Sequence, residues 1–215
     1  MPHYSPALLP TAAPVRPDFG RFAWLLLLLS LAACTTKYGD LPTFSAEHKL
    51  LQVVVEVPAG TNLEQRYDPE TNQFRAVERA GLQQRIEFLP FPGNLGFIPG
   101  TSLPPSIAHP GPRPLAALVL AESQPAGTVL EVLPVALLLL DVNGSLEHVV
   151  IAVPARPAQR ILPEAVSLSS LTARYPGVRS SLSIWFQHWR SAGPVRIAGW
   201  KDEHYAEQQI RARMR

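Results

Sequence analysis

The sequence predicts a strand-rich α+β protein, a small β-barrel followed by helices. Three observations carry that expectation. Short runs rich in β-branched residues and leucine recur from Leu51 to Val153, the pattern of strands buried on one or both faces. Five prolines (Pro104, Pro105, Pro110, Pro112, Pro114) crowd the stretch between Ser102 and Leu115, which forbids a regular element there and reads as a stiff loop. In the last third the hydrophobic period lengthens from two to 3.6. Many short strands followed by two or three helices predict a small barrel with appended helices.

The elements follow in order. Leu51-Gln52-Val53-Val54-Val55-Glu56-Val57 is a strand stopped by Pro58-Ala59-Gly60. Further strands are expected at Phe74–Glu78, Arg85–Leu89, Ala116–Ala121, Thr128–Leu133, Val135–Leu140 and His148–Val153. The run Leu133–Leu140 is very apolar, but Pro134 and Asp141 confine it, so it is a buried strand and too short to span a membrane. Pro163-Glu164 opens a short helix to about Ala173. Val178, Leu182, Trp185, Phe186 and Trp189 share one helical face, which makes the two tryptophans core residues before ligand platforms. Pro194–Ala198 is a short strand, and Asp202 N-caps a terminal helix running toward Arg211.

Composition excludes several function classes. The chain has 215 residues and a single cysteine, Cys34, so neither a disulfide framework nor a multi-cysteine zinc site is available. A net charge of +2, with Lys37, Lys49 and Lys201 as the lysines, argues against a nucleic-acid-binding surface. Aspartate is confined to Asp18, Asp40, Asp68, Asp141 and Asp202, which limits hard-metal chemistry. His109, His148, His188 and His204 are scattered. Glu147 and His148 are adjacent and should face opposite sides of a strand, so the histidines read as structural or solvent-facing.

The N-terminus has the layout of an export signal. Arg16 and Arg21 precede the apolar run Phe22–Ala33, shorter than the roughly 20 residues of a spanning helix. Leu31-Ala32-Ala33-Cys34 resembles the bacterial lipobox, whose cysteine is acylated and becomes the new N-terminus. The resemblance implies a signal peptide over 1–33, a polar tether over 34–49, a domain over 50–215, and an exported lipoprotein held at the cell-envelope membrane by Cys34. Acyl chains contribute about 0.8 kcal/mol per buried methylene, enough for stable anchoring by several chains. A buried core cysteine beside an N-terminal helix is the alternative, and position and flanks favour it less.

Six blocks then appear in a known order. They are Val54-Val55-Glu56-Val57-Pro58; Tyr67-Asp68-Pro69-Glu70-Thr71 with Glu78-Arg79; Phe91-Pro92-Gly93-Asn94-Leu95-Gly96-Phe97-Ile98-Pro99; Pro134 to Pro154; Trp185-Phe186-Gln187-His188-Trp189-Arg190; and Ala198-Gly199-Trp200. In this register the chain resembles the family I soluble inorganic pyrophosphatases, and the likeness covers about Leu51 to Ile210. It implies an OB-like five-stranded barrel with flanking C-terminal helices. It also implies Mg²⁺-dependent hydrolysis of diphosphate to two phosphates. Aspartates there hold metals that ionise water, while Lys, Arg and Tyr bind the phosphates.

Residue by residue, the resemblance implies a depleted site. Glu56 stands at the family's first-strand glutamate, Glu147 at a metal-site aspartate, Arg79 at the phosphate-binding arginine, and Arg190 at a phosphate-binding lysine. The family's "KYEYD" lysine and glutamate fall near Glu64 and Arg66. Two active-site tyrosines become Phe91 and Leu95, and a later one becomes Trp189. The "DGDPxD" motif, three metal-binding aspartates, becomes Gly111-Pro112-Arg113-Pro114-Leu115-Ala116. Val142, Asn143 and Val149 replace a later Asp, Glu and Lys, although a one-residue slip would bring Asp141 into play as a metal ligand. A catalytic metal lowers the pKa of bound water from about 15.7 to about 7 in the best-studied zinc case, and two glutamates cannot replace that. The expectation is weak or absent pyrophosphatase activity. Mg²⁺ is the cofactor by resemblance but poorly provided for. Arg66, Arg79, Arg113 and Arg190 either bind phosphate or diphosphate without metal or are surface charges and structural relics, the reading that common surface arginines favour.

Overall fold

One strand closes the sheet by pairing on both of its edges. The computed structural model describes residues 37–105, 111–190 and 193–215. In chain order these form β1 (Leu51–Val57), β2 (Gln65–Asp68), β3 (Gln73–Ala76), β4 (Glu78–Arg79), β5 (Leu82–Gln83), β6 (Asn94–Leu103), β7 (Arg113–Val119), β8 (Val129–Val142) and β9 (Ser145–Pro154). Then come α1 (Leu168–Arg174), α2 (Pro176–His188), β10 (Val195–Asp202) and α3 (Glu203–Arg211). β1 pairs with β6 on one side and with the start of β8 on the other. The circuit β1-β6-β7-β9-β8 returns to β1, a closed five-stranded barrel in which β7 and β9 alone run parallel. β10 continues the sheet from the far half of β8, residues Ala136 to Val142. β2–β3 and β4–β5 are separate hairpins.

The barrel matches the expected class, and its departures have local causes. β8 is one strand of 14 residues where two were expected. Pro134 has no N–H to give the ladder, and a register irregularity between Pro134 and Ala136 absorbs the defect without ending the strand. β6 was not expected at all. Its Gly96, Pro99 and Gly100 read as turn residues, yet a bulge between Ile98 and Leu103 accommodates Pro99 and the left-handed Gly100, φ +67°. Any Cβ at Gly96 would collide with the Val54 carbonyl, so glycine is what lets β1 and β6 meet. The proline-rich stretch is correspondingly shorter than expected, because β6 runs to Leu103 and β7 starts at Arg113.

Two other expectations need correction. Arg85–Leu89 is not a strand; Arg85 makes a single bridge to Leu63, and Ile86 donates to the Asn62 carbonyl. The first helix starts at Leu168, five residues later than expected. Ser167 caps it by accepting from Ser170 N–H, and the Ser170 side chain reciprocates. Of the expected tether, residues from Lys37 onward belong to the folded unit. Phe44 bridges to Leu51, and the buried Thr43 donates from Oγ1 to the Pro99 carbonyl at 2.9 Å. Their polar composition hid the Thr43 side chain that satisfies the Pro99 carbonyl of β6. Asp202 caps α3 as expected, accepting from Tyr205 N–H at 2.9 Å.

The period-2 pattern divides the core between two faces. Leu118, Leu138, Leu140 and Ile151 pack with Leu171 of α1 and Leu182, Trp185 and Phe186 of α2. Leu115, Ala117, Leu137 and Val150 pack with Ala206 and Ile210 of α3. Each fully buried leucine or isoleucine contributes about 1.5–3 kcal/mol relative to exposure. Asn94, fully buried, ties the loops together. Its Oδ1 accepts from Ala59 N–H and Gln124 N–H, and its Nδ2 donates to the Glu122 carbonyl. Among the described residues no helix is long and apolar enough to cross a membrane.

Candidate functional site

The barrel wall opens into a cavity of about 590 Å³ beside β1, β2, β6, β7 and β9. The chain segments that reach it are far apart in sequence. β1 contributes Glu56, β2 contributes Arg66 and Tyr67, and β6 contributes Leu95 and Phe97. β7 brings Arg113 and Ala116, β9 brings Glu147, His148 and Val149, and the residues after α2 bring Trp189 and Arg190. Gly39, Asp40 and Arg215 complete the rim.

Glu147 is the organising side chain. It is 3% exposed, and burial of a carboxylate at that depth requires partners. Arg190 supplies two, with Nη1 3.3 Å from Oε1 and Nη2 3.4 Å from Oε2, a fork-on-carboxylate pairing. Arg113 approaches from β7, its Nη2 3.9 Å from Oε1. The Arg190 guanidinium also lies over the Trp189 ring, 4.6 Å from its centroid, which orients the fork. Burial pushes the Arg113 guanidinium below its ordinary pKa; the Glu147 charge opposes this, and the Arg190 and Arg66 charges add to it. An arginine so placed stays protonated, so the cluster holds two cations against the Glu147 carboxylate.

Glu56 of β1 lines the same cavity. One of its oxygens accepts from Tyr67 N–H at 2.8 Å. Loss of water pushes its pKa up to about 7; the Tyr67 hydrogen bond and the Arg66 charge pull the other way, and Glu64 adds slightly. Arg66 pairs with Glu64 at 3.4 Å. Burial lowers the His148 pKa, with the Arg213 and Arg113 charges adding to it, so the neutral ring is favoured in the cleft.

Five expected site residues therefore meet in one cavity: Glu56, Arg66, Arg113, Glu147 and Arg190. Two do not line it. Arg79 is exposed on the β4–β5 hairpin. Asp141 caps the β8–β9 turn, its Oδ1 accepting from Gly144 N–H at 2.8 Å, so the register slip does not carry it into the cleft. Cys34 and His109 lie outside the described residues. Arg113 and Ala116, matched to two aspartates of the metal motif, both face the cavity. Phe91 is buried against Trp185 and Trp189, in the core.

Sequence reasoning missed Asp40, His148 and Arg215 as site residues, and read Trp189 as core before ligand platform while setting it against a family tyrosine. Trp189 is both: 9% exposed and part of the cavity wall. Its alignment with a family tyrosine was the available signal. Arg215 had none; its guanidinium is held by the Thr101 carbonyl, 114 residues away in sequence. Among the described residues no three His, Cys, Asp or Glu side chains come together as a metal-holding group.

Comparison with known proteins bears on what this geometry means. A family model described as inorganic pyrophosphatase matches residues 53–215. The inorganic pyrophosphatase of Saccharolobus solfataricus is 27% identical over 165 residues, covering 75% of this chain and 88% of that protein. That of Thermus thermophilus is 28% identical over 180 residues, covering 80% and 93%. The crystal structure of the Thermus thermophilus enzyme superposes with a TM-score of 0.67 at 25% identity, over 82% of this chain and 96% of that one. The Schistosoma japonicum inorganic pyrophosphatase gives 0.72 at 20% identity, over 83% and 69%.

Proposed function

The chain belongs to the inorganic pyrophosphatase family, and from that premise we propose that it has lost Mg²⁺-dependent hydrolysis of diphosphate and keeps the cleft as an anion-binding site. The observation that carries this reading is Arg113. It stands on β7 at the position matched to a metal-binding aspartate and directs its guanidinium at Glu147, 3.9 Å away.

Mg²⁺ in this family supplies charge neutralisation and an ionised water. The residues of this cleft do not fit it. Mg²⁺ takes carboxylate and water oxygens in a near-octahedral shell, whereas Glu147 is already gripped by Arg190, Ala116 offers no oxygen from its side chain, and the other carboxylates of the cavity, Asp40, Glu56 and Glu64, form no metal-holding group of three among the described residues. Two arginines facing that carboxylate repel a divalent cation, the reverse of what a two-metal site requires. No step through the metal is therefore assigned. What the side chains can do is bind. The Arg190 fork, oriented by Trp189 and Glu147, and the Arg113 guanidinium present N–H donors suited to phosphate oxygens.

The lipobox-like Leu31-Ala32-Ala33-Cys34 supports an exported protein anchored through acylated Cys34. Diphosphate is produced mainly in the cytosol, so export agrees with loss of the family reaction. The test is phosphate release from diphosphate by the purified chain with Mg²⁺, Mn²⁺ or Zn²⁺. Release at the no-protein background is expected, and clear Mg²⁺-dependent turnover overturns the reading. Mass spectrometry of the N-terminal peptide checks the anchor, with an acyl-modified Cys34 expected.

A further inference from the structure

The walls of the cleft narrow the choice of anion. Resting on the anion-binding reading above, we propose that the cleft takes a phosphate group carried on an apolar body, held by guanidinium groups without metal. Arg113 and Arg190 face Glu147 at 3.9 and 3.3 Å, which leaves a local positive excess for one anionic group. Arg113 Nε is buried with no hydrogen-bond partner, and so is Nε1 of Trp189, itself only 9% exposed. Buried donors are almost always satisfied, so these two N–H groups mark the cluster as short of acceptors.

Part of the remaining wall is apolar, next to the charged Asp40, Glu56, Glu64, Arg66 and Arg215. Leu95 and Phe97 of β6 and Val149 of β9 line it, and Leu95 stands where the resemblance places a tyrosine hydroxyl. Inorganic phosphate or diphosphate would leave that wall in contact with water, while an ester with an aryl or acyl body would cover it. The volume of about 590 Å³ lies within the roughly 300–1,000 Å³ typical of small-molecule pockets. Two sources carry the same chemistry. One is a soluble phosphate monoester. The other is a lipid with a phosphate head group, because Gly39 and Asp40 line the cleft only five and six residues after Cys34. At about 3.6 Å per residue at most, an acylated Cys34 would hold the cleft within roughly 20 Å of a membrane.

Titration calorimetry of the full chain in EDTA tests this with inorganic phosphate, phenyl phosphate and the soluble short-chain lipid dihexanoyl phosphatidic acid. One or both esters should bind about tenfold or more tighter than inorganic phosphate. Tighter binding of the lipid identifies a membrane source, and equal or tighter binding of phenyl phosphate a soluble one. Arg113→Gln should weaken ester binding about 10- to 100-fold, which also separates cleft binding from partition into detergent. Leu95→Ser should weaken the esters about fivefold and leave inorganic phosphate unchanged, and it serves if circular dichroism shows Arg113→Gln unfolded. Esters that bind no tighter than inorganic phosphate, or only with Mg²⁺, overturn the inference. Inorganic phosphate binding in EDTA would still leave the anion-binding reading standing, whereas no heat from any anion removes both.

Discussion

Strands β7 and β9 lie side by side in parallel, with Ala116 opposite Val149 and Val119 opposite Ala152, yet their two ends obey different rules. The downstream halves, Ala117–Val119 and Val150–Ala152, are buried without exception and wholly apolar. The upstream ends meet at the cavity, where Glu147 of β9 faces Arg113 of β7. The fold is held by the downstream halves, where packing tolerates little change. The charged cluster sits upstream, where side chains line the cavity and pair with one another instead of packing the core.

Substitutions can break or sharpen that contrast. Leu118→Ala and Ile151→Ala, at fully buried downstream positions, should each cost about 3–4 kcal/mol, measured by urea denaturation. Similar losses would show that the two strands contribute alike there; a loss below about 1 kcal/mol at either would contradict the shared core. Upstream the strands should differ. Glu147→Ala leaves the Arg190 and Arg113 guanidiniums without their buried partner and should cost about 3 kcal/mol. Arg113→Ala leaves the Glu147–Arg190 fork intact and should change stability by less than about 1 kcal/mol. Equal effects in the same denaturation series would mean that Arg113 is structural.

A pH-dependent effect comes from Glu56, which lines the same cavity. Its pKa is raised from 4.5 to about 7, so between these values the folded state binds more protons than the unfolded one. Stability therefore falls as pH rises through that window, is free of this penalty below about pH 4.5, and carries all of it above about pH 7. The drop should be on the order of 1–3 kcal/mol. Glu56→Gln should remove it, so denaturation midpoints of the two proteins should diverge from pH 5 to about pH 7 and run parallel above that. Curves parallel throughout would show that Glu56 is hydrated and titrates normally.

Much of this was legible along the chain, for reasons visible in particular residues. β1, the α2 face and the Asp202 cap rest on local periodicity and capping, which neighbours in sequence decide. β6 was not legible, because Gly96 and Pro99 signal a turn and only the approach of Val54 and a bulge make them parts of a strand. Glu56, Arg66, Arg113, Glu147 and Arg190 were each singled out by motif, and the cavity they share was not. Arg79 and Asp141 were singled out on the same grounds and lie elsewhere, since a motif gives a position and says nothing of where the chain carries it.

The sequence by itself determined the fold class, the order of the family blocks, and the segments Gly111-Pro112-Arg113-Pro114-Leu115-Ala116 and Leu31-Ala32-Ala33-Cys34. These follow from residue type, order and short-range spacing, which need no knowledge of contacts. Tertiary structure alone decided the closure of the barrel by β1 and the union of Arg113, Glu147 and Arg190. Arg113 and Glu147 are 34 residues apart in sequence, and Glu147 and Arg190 are 43. At such separations the energy of a charge depends on burial and on the partner that the fold places within about 4 Å, and neither quantity is written in the local chain.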